Sequence, residues 1–252
     1  MSQASFLIGS HSSAQELSLR ENIVELFKKN PLPDSELLLN LALFFNRQSL
    51  ARLLFVHELY QKIINVHGIV VEFGVRWGRN LALFESFRGM YEPYNYTRKI
   101  VGFDTFEGYT DLAEEDGTAR VITPGAYGVV PGYDDYLRQV LAYHEEESPL
   151  SHIKKYEIVK GNAAVEIHHY LARHPETIVA LAYFDFDLYK PTKACLEAIK
   201  DRLTKGSVIA FDELNCEDFP GETRAVCEVL GLSRYSMKRS PLNPTPSYII
   251  VE

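Results

Sequence analysis

Leu181-Ala-Tyr-Phe-Asp-Phe-Asp-Leu-Tyr189 and Val208-Ile-Ala-Phe-Asp-Glu-Leu214 are two apolar runs that each end abruptly in carboxylates. Asp185 and Asp187 close the first run, and Asp212 and Glu213 close the second. The residues between them, Thr192 to Leu203, have the spacing of one amphipathic helix. A strand, a crossover helix and a second strand set two parallel strands with their tips at the same sheet edge. Four acids then converge where open α/β sheets bind ligands. Acids clustered at a buried rim hold a metal or do proton chemistry; the alternative is a solvated rim with helix caps.

Outward from this pair the same alternation continues. Strands are expected at Gly68–Gly74, Lys99–Asp104 and Tyr156–Lys160, and again at Tyr248–Val251. Helical spacing covers Trp77–Met90, Tyr133–His144, Val165–Arg173 and Gly221–Leu230. Strands alternating with helices predict an α/β fold with a doubly wound, mostly parallel sheet. Before the first strand, helices are expected at Glu16–Lys29, Leu37–Phe45 and Leu50–Val66, with Asn30-Pro-Leu-Pro33 as a break and Asp34 as a cap. These are more helices than a minimal sheet needs, so residues 1–67 are read as an extension that packs on the sheet or against a second subunit of a homo-oligomer. Residues 68–252 form the main domain, with 107–155 as an insertion. Glu107 to Gly132 is irregular and rich in Gly, Pro, Tyr and acids. Its Tyr109 and Tyr127, with Tyr133 just beyond, suit stacking on a ligand ring under a lid; a mobile connector is the alternative.

Composition narrows the function classes. The chain has 252 residues, 46% of them hydrophobic, enough for one sizeable core. A net charge of -8 argues against a nucleic-acid footprint. No apolar run reaches the length of a membrane span, and no basic stretch leads into an apolar one at the amino terminus. Cys195, Cys216 and Cys227 form no CxxC pair, which fits reduced thiols and a cytoplasmic location. The histidines show no metal-binding spacing; His144, bordering the insertion, is a reserve base.

Val71-Glu-Phe-Gly-Val-Arg-Trp-Gly78 reads as strand, glycine turn and helix. Glycines let backbone approach a ligand, and a helix start offers free N–H groups. The GxGxxG dinucleotide fingerprint is absent. Gly74 and Gly78, with Glu72 before them, suit a cofactor that carries an ammonium and no pyrophosphate, such as S-adenosylmethionine; a tight structural turn is the alternative. Asp104 ends the second strand, where an acid suits a ribose diol, or else caps a turn. Gly161-Asn162 after the third strand could meet an adenine edge.

Together these segments carry a resemblance. Val71–Gly78, Gly102-Phe-Asp-Thr-Phe-Glu-Gly108, Val159-Lys-Gly-Asn162, Asp185-Phe-Asp-Leu-Tyr-Lys-Pro-Thr192, Phe211-Asp-Glu213 and Pro220-Gly-Glu-Thr-Arg-Ala225 occur in this order. Over roughly residues 68–252 the chain resembles the macrocin O-methyltransferase-like family, which methylates sugars during natural-product tailoring. The resemblance implies a class I methyltransferase fold with a seven-stranded sheet, S-adenosylmethionine as donor, and a divalent cation, usually magnesium. By the same resemblance the cofactor is held by Glu72, Gly74, Arg76, Gly78, Asn80, Asp104, Thr105, Phe106, Gly161, Asn162 and Asp185. The metal falls to Asp185, Asp212 and Glu213. The family commonly has Asp-Asp at 212–213 and Asp-Gly-Asp at 185–187; this chain has Asp212-Glu213 and Asp185-Phe-Asp187.

A sugar hydroxyl is a poor nucleophile until it loses its proton, and Asp187 or Asp185 could take it. The expected reaction is metal-assisted methyl transfer to a sugar hydroxyl of a glycoside or nucleotide sugar. Methylation of a phenol or catechol, nicotinamide-dependent oxidoreduction, and cofactor binding without catalysis are the other readings.

Overall fold

The computed structural model describes residues 13–252. Seven strands form one sheet in the order β3-β2-β1-β4-β5-β7-β6. They are β1 (Ile69–Phe73), β2 (Ile100–Asp104), β3 (Tyr156–Lys160), β4 (Val179–Phe184), β5 (Leu203–Phe211), β6 (Lys238–Arg239) and β7 (Ser247–Ile250). The first five in spatial order are parallel; β7 runs antiparallel to β5, and β6 to β7. The order reverses between β1 and β4, the switch point where such sheets open a crevice. The class I sheet that the resemblance implied is therefore present, with its one short edge strand, β6, unanticipated.

Among the described residues eight α-helices accompany the sheet: α1 (Ala14–Lys28), α2 (Asp34–Leu37), α3 (Arg47–Ile63), α4 (Arg79–Tyr91), α5 (Tyr133–Glu147), α6 (Ala163–Arg173), α7 (Tyr189–Ile199) and α8 (Pro220–Val229). Side chains of α3, α4 and α5, among them Phe55, Leu59, Phe84 and Leu141, pack on one sheet face. Side chains of α6, α7 and α8, among them Ile167, Leu196 and Val226, pack on the other. The helix expected at Leu37–Phe45 is not continuous: α2 is a single turn, followed by a 3-10 turn at Leu41–Phe44. Phe44 packs edge-on against Phe27 of α1 at 5.1 Å. No residue from 13 to 51 is buried.

A row of phenylalanines levels the strand tips. Phe103, Phe73, Phe184 and Phe211 are register partners across β2, β1, β4 and β5. Their rings stack side by side at 5.3, 4.8 and 5.3 Å. Each buried ring contributes about 1.5–3 kcal/mol by leaving water, so slipping any one strand is costly. Side chains alternate across a strand. The next residue on each strand thus faces the α3/α4 side: Asp104, Gly74, Asp185 and Asp212. Backbone bonds carry the ladder past the strand ends, Gly74 N to Phe103 O at 3.0 Å, Asp185 N to Phe73 O at 2.8 Å and Asp212 N to Phe184 O at 3.0 Å.

Candidate active site

The tips open into a cavity of about 640 Å³, within the range of small-molecule sites. Asp185, Asp187, Asp212 and Glu213 all line it. So the four acids at two strand tips do converge. Of the eleven cofactor candidates, nine also line it; Gly78 and Phe106 do not. Gly78 packs against a neighbouring helix. It precedes α4 at φ +76°, and a Cβ there would meet the Leu137 side chain of α5 at 2.3 Å. Its lack of a side chain serves helix packing. Phe106 is buried at φ 61°, and its N–H donates to Asp104 Oδ1 at 2.6 Å.

Gly74 is where backbone requires glycine most strictly. Its φ is +93°, and a Cβ would lie 2.1 Å from the Asp185 carbonyl oxygen. The turn after it is held by Asp104, whose Oδ2 accepts from Val75 N and Arg76 N, each at 2.7 Å. Asp104 is thus a turn-organising residue as well as a cavity-lining one. Burial pushes its carboxyl up, against the three backbone donors. Arg76, at φ 49°, lays its guanidinium over the Tyr127 ring at 4.6 Å. Gly161 N donates to Asp104 O at 2.9 Å, and Asn162 caps α6 through Ala164 N at 3.0 Å.

Glu72 lies fully buried beneath the turn and accepts from Asn80 Nδ2 at 2.8 Å. Its Oε2 has no hydrogen-bond partner among the described residues. Burial, with the charge of Asp185 second, pushes its carboxyl up to about 8. A buried oxygen without a donor at a cavity wall is suited to an incoming ammonium.

Three of the four acids are held by two side chains, Arg52 and Tyr109, in pairings that the sequence did not announce. Arg52 of α3 sends Nη2 to Asp185 Oδ2 at 2.7 Å and Nη1 to Asp212 Oδ1. Its guanidinium lies 5.1 Å from the Tyr183 ring centroid, and Tyr183 OH donates to Asp212 Oδ1 at 2.9 Å. Tyr109 OH donates to Asp187 Oδ2. Asp187 itself sits at φ 63°, an uncommon conformation for a residue with a side chain. Burial pushes its carboxyl up to about 8, with Asp185 adding repulsion. Burial likewise takes Glu213 up to about 7. Under Glu213, fully buried Glu222 accepts from its N–H at 3.0 Å.

Arg52 and Glu222 share one signal that could have revealed them. Arg52 falls on the same stripe of α3 as buried Phe55, Val56 and Leu59, and Glu222 on the stripe of α8 with Ala225 and Val226. A charge on an apolar stripe needs a partner. Of the three tyrosines expected to face a ligand ring, Tyr109 and Tyr127 line the cavity, with Tyr109 buried against Asp187; Tyr133 does not line it, and its OH donates to Trp77 O at 3.0 Å while its ring packs on the Trp77 edge. His144 is on α5 beside Ser86 and does not line the cavity, so the reserve-base reading falls away. The insertion is pinned at a second point, where buried Asp116 accepts from Tyr189 N at 2.6 Å and Ala113 N at 2.7 Å.

Among the described residues no group of three or more His, Cys, Asp or Glu side chains is arranged to hold a metal ion. The expected set Asp185, Asp212 and Glu213 is in reach of the cavity, but Arg52 stands between the first two.

A doubly wound seven-stranded sheet, with a glycine turn after β1 and acids at the tips of β2, β4 and β5, defines a class I methyltransferase. The chain belongs to the macrocin O-methyltransferase-like family of S-adenosylmethionine-dependent sugar O-methyltransferases. It is 42% identical to the calicheamicin methyltransferase CalS11, covering 96% of this chain and 94% of that one, with a TM-score of 0.93. An apo structure of CalS11, described as a TDP-rhamnose 3'-O-methyltransferase, matches at 41% identity over 96% of both chains with a TM-score of 0.85. The O-methyltransferase NovP shares the fold at 17% identity, 80% of this chain, 79% of that chain and a TM-score of 0.58. No protein-family model and no curated protein matches the chain. As an O-methyltransferase it is neither an oxidoreductase nor a binding protein without catalysis.

Proposed function

We propose that this protein transfers the methyl group of S-adenosylmethionine to a hydroxyl of a sugar carried on a nucleoside diphosphate or on a natural-product glycoside. The observation that carries this reading is the row of tips Gly74, Asp104, Asp185 and Asp212 around one cavity, in a chain 42% identical to a calicheamicin methyltransferase. The donor's ammonium is assigned to Glu72, and its nucleoside to the turn around Asp104 and Gly161-Asn162. The acceptor takes the side lined by Tyr109, Asp187, Glu213 and Phe219.

In this reading Asp187 accepts the proton of the attacking hydroxyl. A carboxyl raised to about 8 is a far better base than an exposed one. Tyr109 holds one oxygen of Asp187 and leaves the other for the acceptor. Arg52 keeps Asp185 and Asp212 fixed and offsets their charge. S-adenosylmethionine would supply an electrophilic methyl group when bound, and the residues that hold donor and acceptor in one cavity would supply much of the acceleration by orienting them.

Asp185, Asp212 and Glu213 are the residues that would hold magnesium or a similar cation. The set fits in kind, being all hard oxygen donors. Bound there, the ion would supply positive charge that favours the alkoxide. In the arrangement described, the Arg52 guanidinium and such an ion are alternatives for the same two carboxylates. We further place residues 107–155 as a substrate lid and 1–67 as an extension, in a cytoplasmic homo-oligomer. Three unpaired cysteines support the cytoplasm. No helix among the described residues is long and apolar enough to cross a membrane.

The test is methyl transfer from labelled S-adenosylmethionine to TDP-deoxysugars and to glycosides, read by mass spectrometry. A methylated sugar product is expected. Binding of S-adenosylhomocysteine without methylation of any sugar, alongside methylation of a catechol, would replace the sugar reading with the phenol one.

A further inference from the structure

The amino-terminal helices leave an apolar surface uncovered. Eleven of the 24 exposed large apolar side chains among the described residues lie between Leu17 and Leu54. Leu38, Leu39 and Leu43 are 77%, 81% and 65% exposed. α1 has a complete capping box, Ser13 with Glu16, yet not one of its residues is buried. A helix of about 12–15 residues is marginal in water when nothing packs on it, and one that is apolar around much of its girth belongs inside an interface. Leu19, Ile23 and Leu26 share one side of α1, at i, i+4 and i+7. Leu50 and Leu54 extend the apolar surface onto the outer side of α3.

Charge says what covers it. Residues 13–54 contain five acids and, apart from inward-facing Arg52, four bases, so the outward face is close to neutral, while the whole chain carries -8. Two copies of an acidic chain repel least where they meet across a nearly neutral face. Both signs are interspersed there, with Glu21 and Glu25 near Lys28 and Lys29, which suits a self-complementary twofold contact. Eleven side chains of this size offer on the order of 800–1,000 Å² per protomer, what one partner contributes to a standard interface.

We infer that α1, the turn at 41–44 and the first turns of α3 form the interface with a second copy of this chain. The inference deepens the homo-oligomer reading and rests on it. It also reaches the site, because Arg52 projects inward from the same turns of α3 that carry Leu50 and Leu54 outward. Covering that outer side steadies the helix that delivers the guanidinium to Asp185 and Asp212.

Sedimentation of the full chain tests it, with S-adenosylhomocysteine affinity as the measure of an intact fold. Wild type is expected to sediment as a dimer or larger. Leu38→Glu/Leu39→Glu and, separately, Leu19→Glu/Leu26→Glu are expected to give monomers that bind S-adenosylhomocysteine as wild type does. Tyr136→Glu and Leu242→Glu, at exposed apolar positions elsewhere, are expected to keep the assembly. A monomeric wild type overturns both the oligomer and the interface. An oligomeric wild type whose arm variants still assemble overturns the interface alone. Loss of S-adenosylhomocysteine binding in both arm variants also overturns it, because the segment would then be part of the fold.

Discussion

Arg52 Nη2 meets Asp185 Oδ2 at 2.7 Å, and the same guanidinium meets Asp212 on the neighbouring strand. One side chain from α3 therefore ties together the two strand tips on which the site is built.

Arg52→Ala leaves two carboxylates facing each other in a largely buried setting. Removing one partner of a buried ion pair costs about 3–5 kcal/mol, so the variant should melt well below wild type and lose most of its turnover. It should also bind magnesium or manganese at least about tenfold more tightly than wild type, because the competing cation is gone. Arg52→Lys can reach only one tip and should fall between the two. Calorimetric titration with the metal checks this; equal affinity in wild type and Arg52→Ala would show that guanidinium and ion do not share the carboxylates.

Tyr109→Phe removes the donor to Asp187 and little else, since the ring stays in its apolar pocket with Leu188 and Ala126. A hydrogen bond to a charged group is worth about 1.5–3 kcal/mol. The freed carboxylate should reorient, lowering kcat by roughly tenfold or more while leaving KM and S-adenosylhomocysteine affinity close to wild type. Steady-state rates with the sugar acceptor that the methylation assay selects decide it. A KM effect alone would mean that Tyr109 contacts the acceptor and does not position the base.

Much of this site could be read from the chain. Apolar runs that stop at carboxylates, and glycines right after a strand, mark strand tips because a charge inside a buried strand must be given a partner, as Asn80 partners Glu72 inside β1. What stayed hidden was long-range pairing. Nothing in residues 47–63 says that Arg52 will meet Asp185 and Asp212; only its place on an apolar stripe shows that it must meet something. Gly78 shows a related limit. Its glycine answers to Leu137, about sixty residues away in sequence, and spacing alone cannot separate close approach by a helix from close approach by a ligand. Leu37–Phe45 shows the limit of periodicity: apolar residues at helical spacing do not build a long helix where no core receives them.

Gly74→Ala should be severely damaging, whereas Gly125→Ala should be mild. Both positions have positive φ, +93° and +78°. A Cβ at 74 would stand 2.1 Å from the Asp185 carbonyl oxygen, whereas at 125 nothing lies within 4 Å. The second change therefore costs about 1 kcal/mol of backbone strain. The first must also push β1 and β4 apart at the tip that carries Asp185. Soluble yield, melting temperature and S-adenosylhomocysteine affinity of the pair should separate clearly; comparable behaviour would mean that the tips have slack.

Glu72→Gln should stabilise the cofactor-free protein while weakening cofactor binding. The Glu72 carboxyl is raised from 4.5 to about 8 in the folded chain, by burial first and by Asp185 second. Between those values the folded state holds a proton that the unfolded state releases, so stability falls as pH rises through this window. Above about 8 the full cost of a buried charge is present; below about 4.5 it is absent. Glutamine keeps an oxygen for Asn80 Nδ2 and never ionises. Its advantage should therefore grow from pH 5 to pH 8.5, reaching on the order of 1–2 kcal/mol, or about 2–8 °C in melting temperature for a chain of this size. Affinity for S-adenosylhomocysteine should drop by at least about tenfold, because the ammonium loses its counter-charge. Melting curves of the cofactor-free proteins at the two pH values give the first half, and calorimetry the second. If the variant gained nothing at pH 8.5 relative to pH 5, Glu72 would not be a charge held ready for the donor, and another group would have to receive the ammonium.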